Sequence, residues 1–367
     1  MISVEEARKI VAETVRIPQP EPVPLRDLAG RVLAAPVEAP YPQPRFTNSA
    51  MDGFAVRSAD LADARKTHAV TLSLTGVAKA GPGAPGNVGP GKCRQVMTGA
   101  ALPAGADAVV KVEDTSGFES SPVGFYHSPE QGEHIRPAGG EIKAGGRLMS
   151  AGTRLGPAEL GVLAGCGLTE AQVYPQPRVA IITTGDELIA PDQELQPGTI
   201  YNSNRPLLGA LTDLAGAKLV HQESVPDDPT TLRVNFTAAL QQASVVVTCG
   251  GVSMGRFDHV RDVLATMGVK QLFWQVAQKP GKPLYFGVGL DSLVFGLPGN
   301  PVSALIAFME FVWPTLEALQ GLAQPPRPRA NLAAPFPRIP DRSRFLLGEA
   351  WVEDRRVMAR PTRKRGS

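Results

Sequence analysis

The chain has 367 residues, 43% of them hydrophobic and 20% charged, with a formal net charge of +2. That length suffices for two or more domains with separate cores. The apolar content excludes global disorder, and the near-neutral balance argues against a generic nucleic-acid binder held by phosphate neutralisation.

Gly (38) and Pro (35) are abundant but follow no three-residue period, so tight turns and short strands are expected, and collagen is excluded. Cys93, Cys166 and Cys249 lie far apart without a CxxC pair, which makes a disulfide scaffold or a four-ligand zinc site improbable. The N-terminus has neither the apolar core nor the cleavage site of a signal peptide. The longest apolar stretch, 304–314, contains Glu310 and is short for a bilayer span. A soluble, cytoplasmic protein is expected, without membrane or nucleic-acid partners.

Residues 3–16 have the pattern of a helix, with Ser3 and Glu6 at capping-box spacing and an apolar stripe of Val4, Ala7, Ile10, Val11 and Val15. Pro18, Pro20, Pro22 and Pro24 end it and predict an extended connector. From about 32 to 175, β-like runs (FAVRSAD, AVTLSLTGVA, CRQVMTG, ADAVVKVED) alternate with Gly/Pro clusters, and 80–92 is predicted to be a set of turns. PAELGVLAGCG at 157–167 has proline where a helix begins and glycine where one ends.

Near residue 178 the pattern becomes alternating strand and helix. A strand RVAIITT is followed by a helix at Arg205–Leu214, a strand at Lys218–Val225 and a helix at Pro229–Gln242. The strand SVVVTCGG, a helix after Asp258, the strands FWQVA, PLYFGV and SLVFG, and a long helix from near Pro301 complete the series. This predicts a doubly wound, mostly parallel sheet, whose ligands bind beyond the carboxyl ends of the strands where the strand order reverses. Past Gln324 the chain is proline-rich, then β-like, and ends in a basic run expected to be a solvated tail.

Three sets of turns at strand ends are candidates for chemistry. In Thr183-Thr184-Gly185-Asp186-Glu187 the two carboxylates suit Mg²⁺ or a ribose hydroxyl. They equally suit an N-cap and first-turn acids facing a helix dipole. In CGGVSMGRFD (249–258), Gly250, Gly251, Ser253 and Gly255 let backbone N–H groups approach an anion, unless the loop merely joins strand to helix. Lys279 and Lys282 in KPGKP set two positive charges between prolines, and LPGNP offers Asn300 as N-cap with Pro301 as first-turn proline. In the N-terminal half, Asp52 in SAMDGFA and Thr98 in VMTGA stand in small, apolar turns, where they either serve a ligand or bond their own turns.

Read in order, SAMDGFAV, MTGA–GADAVV, TTGDEL, GGVSMGRFD, KPGKP and LPGNPVSA resemble the molybdopterin molybdenumtransferase family, which includes MoeA and the gephyrin E domain. The resemblance runs from about residue 1 to 325. It implies a multidomain α/β plus β architecture in four parts: an elongated module (1–45 and 135–174), a β-rich insertion (46–134), an α/β domain like those of molybdopterin adenylyltransferases (175–322), and a C-terminal β-barrel (323–367). That barrel is expected to be incomplete, because the chain stops at Gly366-Ser367.

The resemblance further implies a homodimer with an inter-subunit active site. Asp52 and Thr98 of one subunit would face Glu187, Asp228, Asp258, Lys279 and Lys282 of the other. Its substrates are molybdate and adenylylated molybdopterin, with Mg²⁺ held by Asp186, Glu187 and Asp258. AMP is released, and the product passes by transient contact to other molybdenum cofactor enzymes. Gly250, Gly251, Ser253, Gly255, Pro298 and Pro301 are implied on the ligand side. Two other functions stay open: a molybdopterin adenylyltransferase, although its usual TGGTG-type loop is here TCGGVSMG, and a non-catalytic scaffold.

Overall fold

A computed structural model describes residues 1–253, 258–323, 327–337 and 342–362. The chain packs as two compact units, one of residues 1–35, 151–160 and 170–367, the other of residues 36–150 and 161–169.

The first unit is built on a six-stranded sheet with spatial order 218–225, 178–184, 245–249, 292–297, 285–289, 270–274. The first four run parallel, 285–289 folds back antiparallel to 292–297, and 270–274 closes the edge antiparallel to 285–289. Both faces are covered, so each central strand is apolar throughout rather than alternating. Ile181, Val247 and Phe295 join the core under helices Asn204–Leu214 and Pro301–Ala307. Ile182, Val246 and Val294 join the core under Pro229–Gln242 and Val260–Thr266.

The N-terminal helix is Val4–Thr14, and Ser3 accepts a hydrogen bond from the Glu6 N–H at 3.0 Å as the capping-box spacing predicts. Its apolar stripe (Val4, Ala7, Val11) is buried in the same core as Phe311 and Leu316 of the α/β unit. The proline-rich stretch does more than connect: Glu21–Pro24 pairs antiparallel with Glu170–Val173. The apolar helix after Asn300 continues from Pro301 to Leu319 through a π-helical turn at Phe308–Val312, longer than the apolar run in the sequence suggests. By length and mean hydropathy (1.5) it would cross a membrane, but half of it is buried in this core. At the C-terminal end, the described residues form a three-stranded sheet of Asn331–Leu332, Arg356–Pro361 and Gly348–Glu353.

The second unit carries the β-rich insertion, a five-stranded sheet ordered 108–111, 53–56, 92–96, 70–78, 123–125. Its core is closed by Phe54, Phe118 and Phe125, with Phe54 and Phe125 edge-to-face at 5.7 Å between centroids. Four of these strands are the β-like runs of the sequence.

Candidate active site

In the parallel part of the α/β sheet, the strand order reverses beside Arg178–Thr184: the chain goes next to one neighbour, 218–225, and then to the other, 245–249. The crevice beyond the carboxyl ends of 178–184 and 245–249 is therefore where a ligand is expected. TTGDE and CGGVS both begin there. The antiparallel register brings two further segments to the same end. Tyr285 lies opposite Gly296, and Trp274 opposite Tyr285, so the KPGKP turn leading into Tyr285 is on this side too.

The loops touch through glycine. Gly250 has φ +100°, and a Cβ placed on it would lie 2.2 Å from the Thr184 carbonyl oxygen, so no other residue fits without moving one loop. The Gly250 N–H continues the ladder to the Leu297 carbonyl at 3.2 Å, and the Cys249 thiol donates to the Pro298 carbonyl at 3.2 Å. Burial pushes Cys249 up to about 12, which makes it an inert packing thiol. Asn204 donates to the Gly299 carbonyl at 2.6 Å. Asn300 caps Pro301–Ala307 by accepting from the Ser303 N–H at 3.2 Å, with Pro301 in the first turn as the sequence predicts. Pro298 and Pro301 thus shape the wall next to the glycine loop.

Beyond Gly250 the loop changes character. The N–H groups of Gly251, Val252 and Ser253 have no acceptor among the described residues. Gly251 has φ +62°, and Ser253 is exposed. Successive unsatisfied N–H groups in such a turn form a nest for an anion. Gly255 lies outside the described residues.

The acids form a second feature. The segment after Thr184 is a turn, closed by the Leu188 N–H donating to the Gly185 carbonyl at 3.1 Å, and it runs into the short strand Leu188–Ile189. The next helix begins only at Asn204, so Asp186 and Glu187 are not first-turn acids of a helix. Glu187 folds back over Gly185, where a Cβ would meet its carboxylate oxygen at 2.6 Å. Asp186 accepts the Asp227 N–H at 3.0 Å, and Thr184 donates its hydroxyl to Asp227 at 2.5 Å. Asp227 is raised above the ordinary aspartate range, first by burial and then by the charges of Asp186, Glu187 and Asp258, against the lowering effect of the Thr184 hydroxyl.

Asp228 does something different. It is the N-cap of Pro229–Gln242, accepting from the Thr231 N–H at 2.7 Å and the Thr231 hydroxyl at 2.8 Å. These bonds hold its carboxyl below the usual range. The residue of the VPDD turn that faces the other acids is therefore Asp227, which inspection of the sequence passes over. The signal was there to read: Asp228 directly precedes Pro229 as Asn300 precedes Pro301, which marks Asp228 as the cap and leaves Asp227 free of that role.

These carboxylate oxygens are hard donors. None of Asp186, Glu187 and Asp227 forms an ion pair with Lys or Arg among the described residues. No three His, Cys, Asp or Glu side chains are gathered tightly enough there to chelate an ion alone. That donor set fits Mg²⁺, which keeps several waters and takes one or two carboxylates together with substrate phosphates.

Lys279 is exposed and Lys282 half-buried, and neither forms an ion pair among the described residues. Gly281 between them has φ +90°, with the Gln278 side chain donating to its carbonyl at 2.9 Å. The C-terminal segment Ser343–Arg344 pairs in parallel with Gln278–Lys279, which sets Arg344 opposite Lys279. A two-residue strand leaves no periodicity to reveal this pairing in the sequence.

In the other unit, antiparallel pairing of Gly53 with Val96 brings Asp52 to Thr98. Asp52 accepts from the Thr98 N–H at 2.6 Å and the Thr98 hydroxyl at 2.9 Å. The backbone bond first, and the hydroxyl second, lower the Asp52 carboxyl below the ordinary range. Both residues are exposed, so the pair is an ionised, fixed acceptor open to solvent.

A glycine loop and an acid cluster at the reversal point of a mostly parallel sheet, with two lysines at the same end of that sheet, fit a class: α/β enzymes that handle phosphate-bearing ligands at a strand-end crevice. Comparison with known proteins narrows this. Residues 2–167 match the family described as MoeA N-terminal region (domain I and II), and residues 180–318 match the probable molybdopterin binding domain.

The molybdopterin molybdenumtransferase of Nostoc sp. is 37% identical over 80% of this chain and 68% of its own length. That of Haemophilus influenzae is 36% identical over 89% of this chain and 80% of its own. The crystal structure of the molybdopterin biosynthesis MoeA protein from Pyrococcus horikoshii superposes with a TM-score of 0.78 at 28% identity, covering 100% of this chain and 91% of that one. The chain belongs to the molybdopterin molybdenumtransferase family, enzymes of molybdenum cofactor biosynthesis. The adenylyltransferase alternative gives way because the match includes the N-terminal region as well as the α/β domain, and the scaffold alternative gives way because the relatives matched over most of the chain are named as transferases.

Proposed function

We propose that the reaction is insertion of molybdate into adenylylated molybdopterin with Mg²⁺-dependent hydrolysis of the adenylyl bond and release of AMP. The carrying observation is the run of N–H groups at 251–253 with no acceptor among the described residues, at the same strand-end crevice as the Asp227 acid cluster. The nest, Lys279 and Lys282 hold the oxyanions of pyrophosphate and molybdate by charge-assisted hydrogen bonds.

Asp227, Asp186, Glu187 and Asp258 are the residues for Mg²⁺. When bound, the ion neutralises phosphate charge and lowers the pKa of a coordinated water. Asp228 acts through the helix it caps, fixing the VPDD turn that presents Asp227.

The active form in this reading is a cytoplasmic homodimer. Asp52 and Thr98 of one subunit complete the site formed by the acids and lysines of its partner, and the product passes by transient contact to other molybdenum cofactor enzymes. Incubation with adenylylated molybdopterin, Mg²⁺ and molybdate should release AMP in step with formation of the molybdenum cofactor. AMP release that ignores molybdate would overturn the transfer, and formation of adenylylated pterin from ATP would make the enzyme an adenylyltransferase.

A further inference from the structure

Trp274 ends the edge strand Lys270–Trp274, away from the reversal point, yet it reaches the glycine loop. The loop crosses the sheet end so that Val252 is buried at 2% exposure over Gly296, where a Cβ would lie 2.7 Å from Val252 Cγ1. There the Trp274 indole N–H donates to the Val252 carbonyl at 2.9 Å. The Arg261 guanidinium lies on the Trp274 ring, 3.7 Å from its centroid, and Arg261 Nε is buried without a hydrogen-bond partner. Arg261 is therefore committed to the ring face rather than to a carboxylate among the described residues.

The Val252–Ser253 peptide is not among the cis bonds, and in a trans peptide the C=O and the following N–H point in opposite directions. Anchoring the Val252 carbonyl on Trp274 therefore turns the Ser253 N–H away from the core. We infer that Trp274 is a positioning residue: it latches the loop by the Val252 carbonyl so that the Ser253 N–H is preset toward the oxyanion of the substrate, and Arg261 holds the indole in place. This inference rests on the anion-binding reading of the loop and adds a residue whose side chain touches no ligand. Preset donors need no reorganisation on binding, which is where their advantage over a mobile loop lies.

Trp274→Phe keeps the ring and the stack and removes only the donor, whereas Arg261→Met removes the stack. Equilibrium binding of adenylylated molybdopterin and the KM for molybdate are measured for both variants, with Lys279→Ala alongside. Trp274→Phe should weaken one of the two ligands about tenfold by releasing the preset loop, with kcat within about twofold and a small drop in the thermal midpoint from the unpaired Val252 carbonyl. Arg261→Met should weaken the same ligand by less.

If Trp274→Phe binds both ligands as the wild type does while Lys279→Ala is impaired, the latch is overturned and the proposed activity stands. If neither variant is impaired, the latch and the assignment of this end of the sheet to anion binding are both overturned. A second arm does not depend on that variant folding: in Trp313→Phe/Trp351→Phe, Trp274 is the one remaining indole. Its emission should shift saturably with one of the two ligands, and a constant emission through saturation of both ligands counts against the latch.

Discussion

Two aspartates, one in each unit, occupy opposite electrostatic states. Asp52 is exposed and receives two hydrogen bonds from Thr98, which hold it ionised. Asp227 is partly withdrawn from water, faces three other acids, and receives one hydroxyl bond from Thr184. The first geometry is satisfied as it stands and suits a fixed acceptor that orients a ligand. The second is strained by like charge and suits a group whose charge is compensated only when a cation and an anionic substrate arrive.

Asp227→Asn should produce the largest change, lowering the rate of AMP release by about 100-fold or more. The same variant should be more stable than the wild type at neutral pH. A raised folded pKa means the native state keeps its proton longer, so its contribution to stability is best below the ordinary aspartate value of 3.8 and declines as pH rises through the folded pKa. Asp52→Asn should behave oppositely. Its lowered pKa contributes stability above 3.8 that is lost as pH falls through the folded pKa, so the variant is less stable near neutrality and the difference closes in acid. Thermal midpoints of both variants from pH 3 to 8 check the two signs. Mg²⁺ should raise the midpoint of the wild type and leave that of Asp227→Asn in place.

Gly250→Ala tests whether the crevice depends on close approach of its loops. A methyl 2.2 Å from the Thr184 carbonyl oxygen at φ +100° should cost roughly 3 kcal/mol in chemical denaturation. A smaller effect is expected at Asp228. Asp228→Ala should lower the thermal midpoint slightly through loss of the helix cap. Asp228→Ser restores a capping oxygen and should restore activity with it. If Asp228→Ser is stable but inactive, the carboxylate touches the chemistry directly.

Much of this was legible in the sequence because long, strongly patterned segments declare themselves. The helices at 204–214 and 229–242, the apolar strands and the Asn300–Pro301 cap all lie where the residue pattern puts them. The strand-end rule then brought TTGDE and CGGVS to one crevice. Pro229 likewise marks Asp228 as the helix cap and leaves Asp227 free of that role. What stayed hidden depends on directions rather than patterns. The reach of Trp274 to Val252 depends on the path of an irregular loop across the sheet. Asp186 and Glu187 left two readings open, because a turn into a two-residue strand has the same composition as a helix start.

The division of labour is tested most directly by mixing two inactive variants, one with Asp52→Ala and one with Asp227→Asn, under conditions in which subunits exchange. If one site draws Asp52 from one subunit and Asp227 from its partner, half of the dimers are mixed and each regains one intact site. Molybdate-dependent AMP release should then return to about a quarter of the wild-type rate per subunit. A mixture that stays inactive despite confirmed exchange would contradict the shared site.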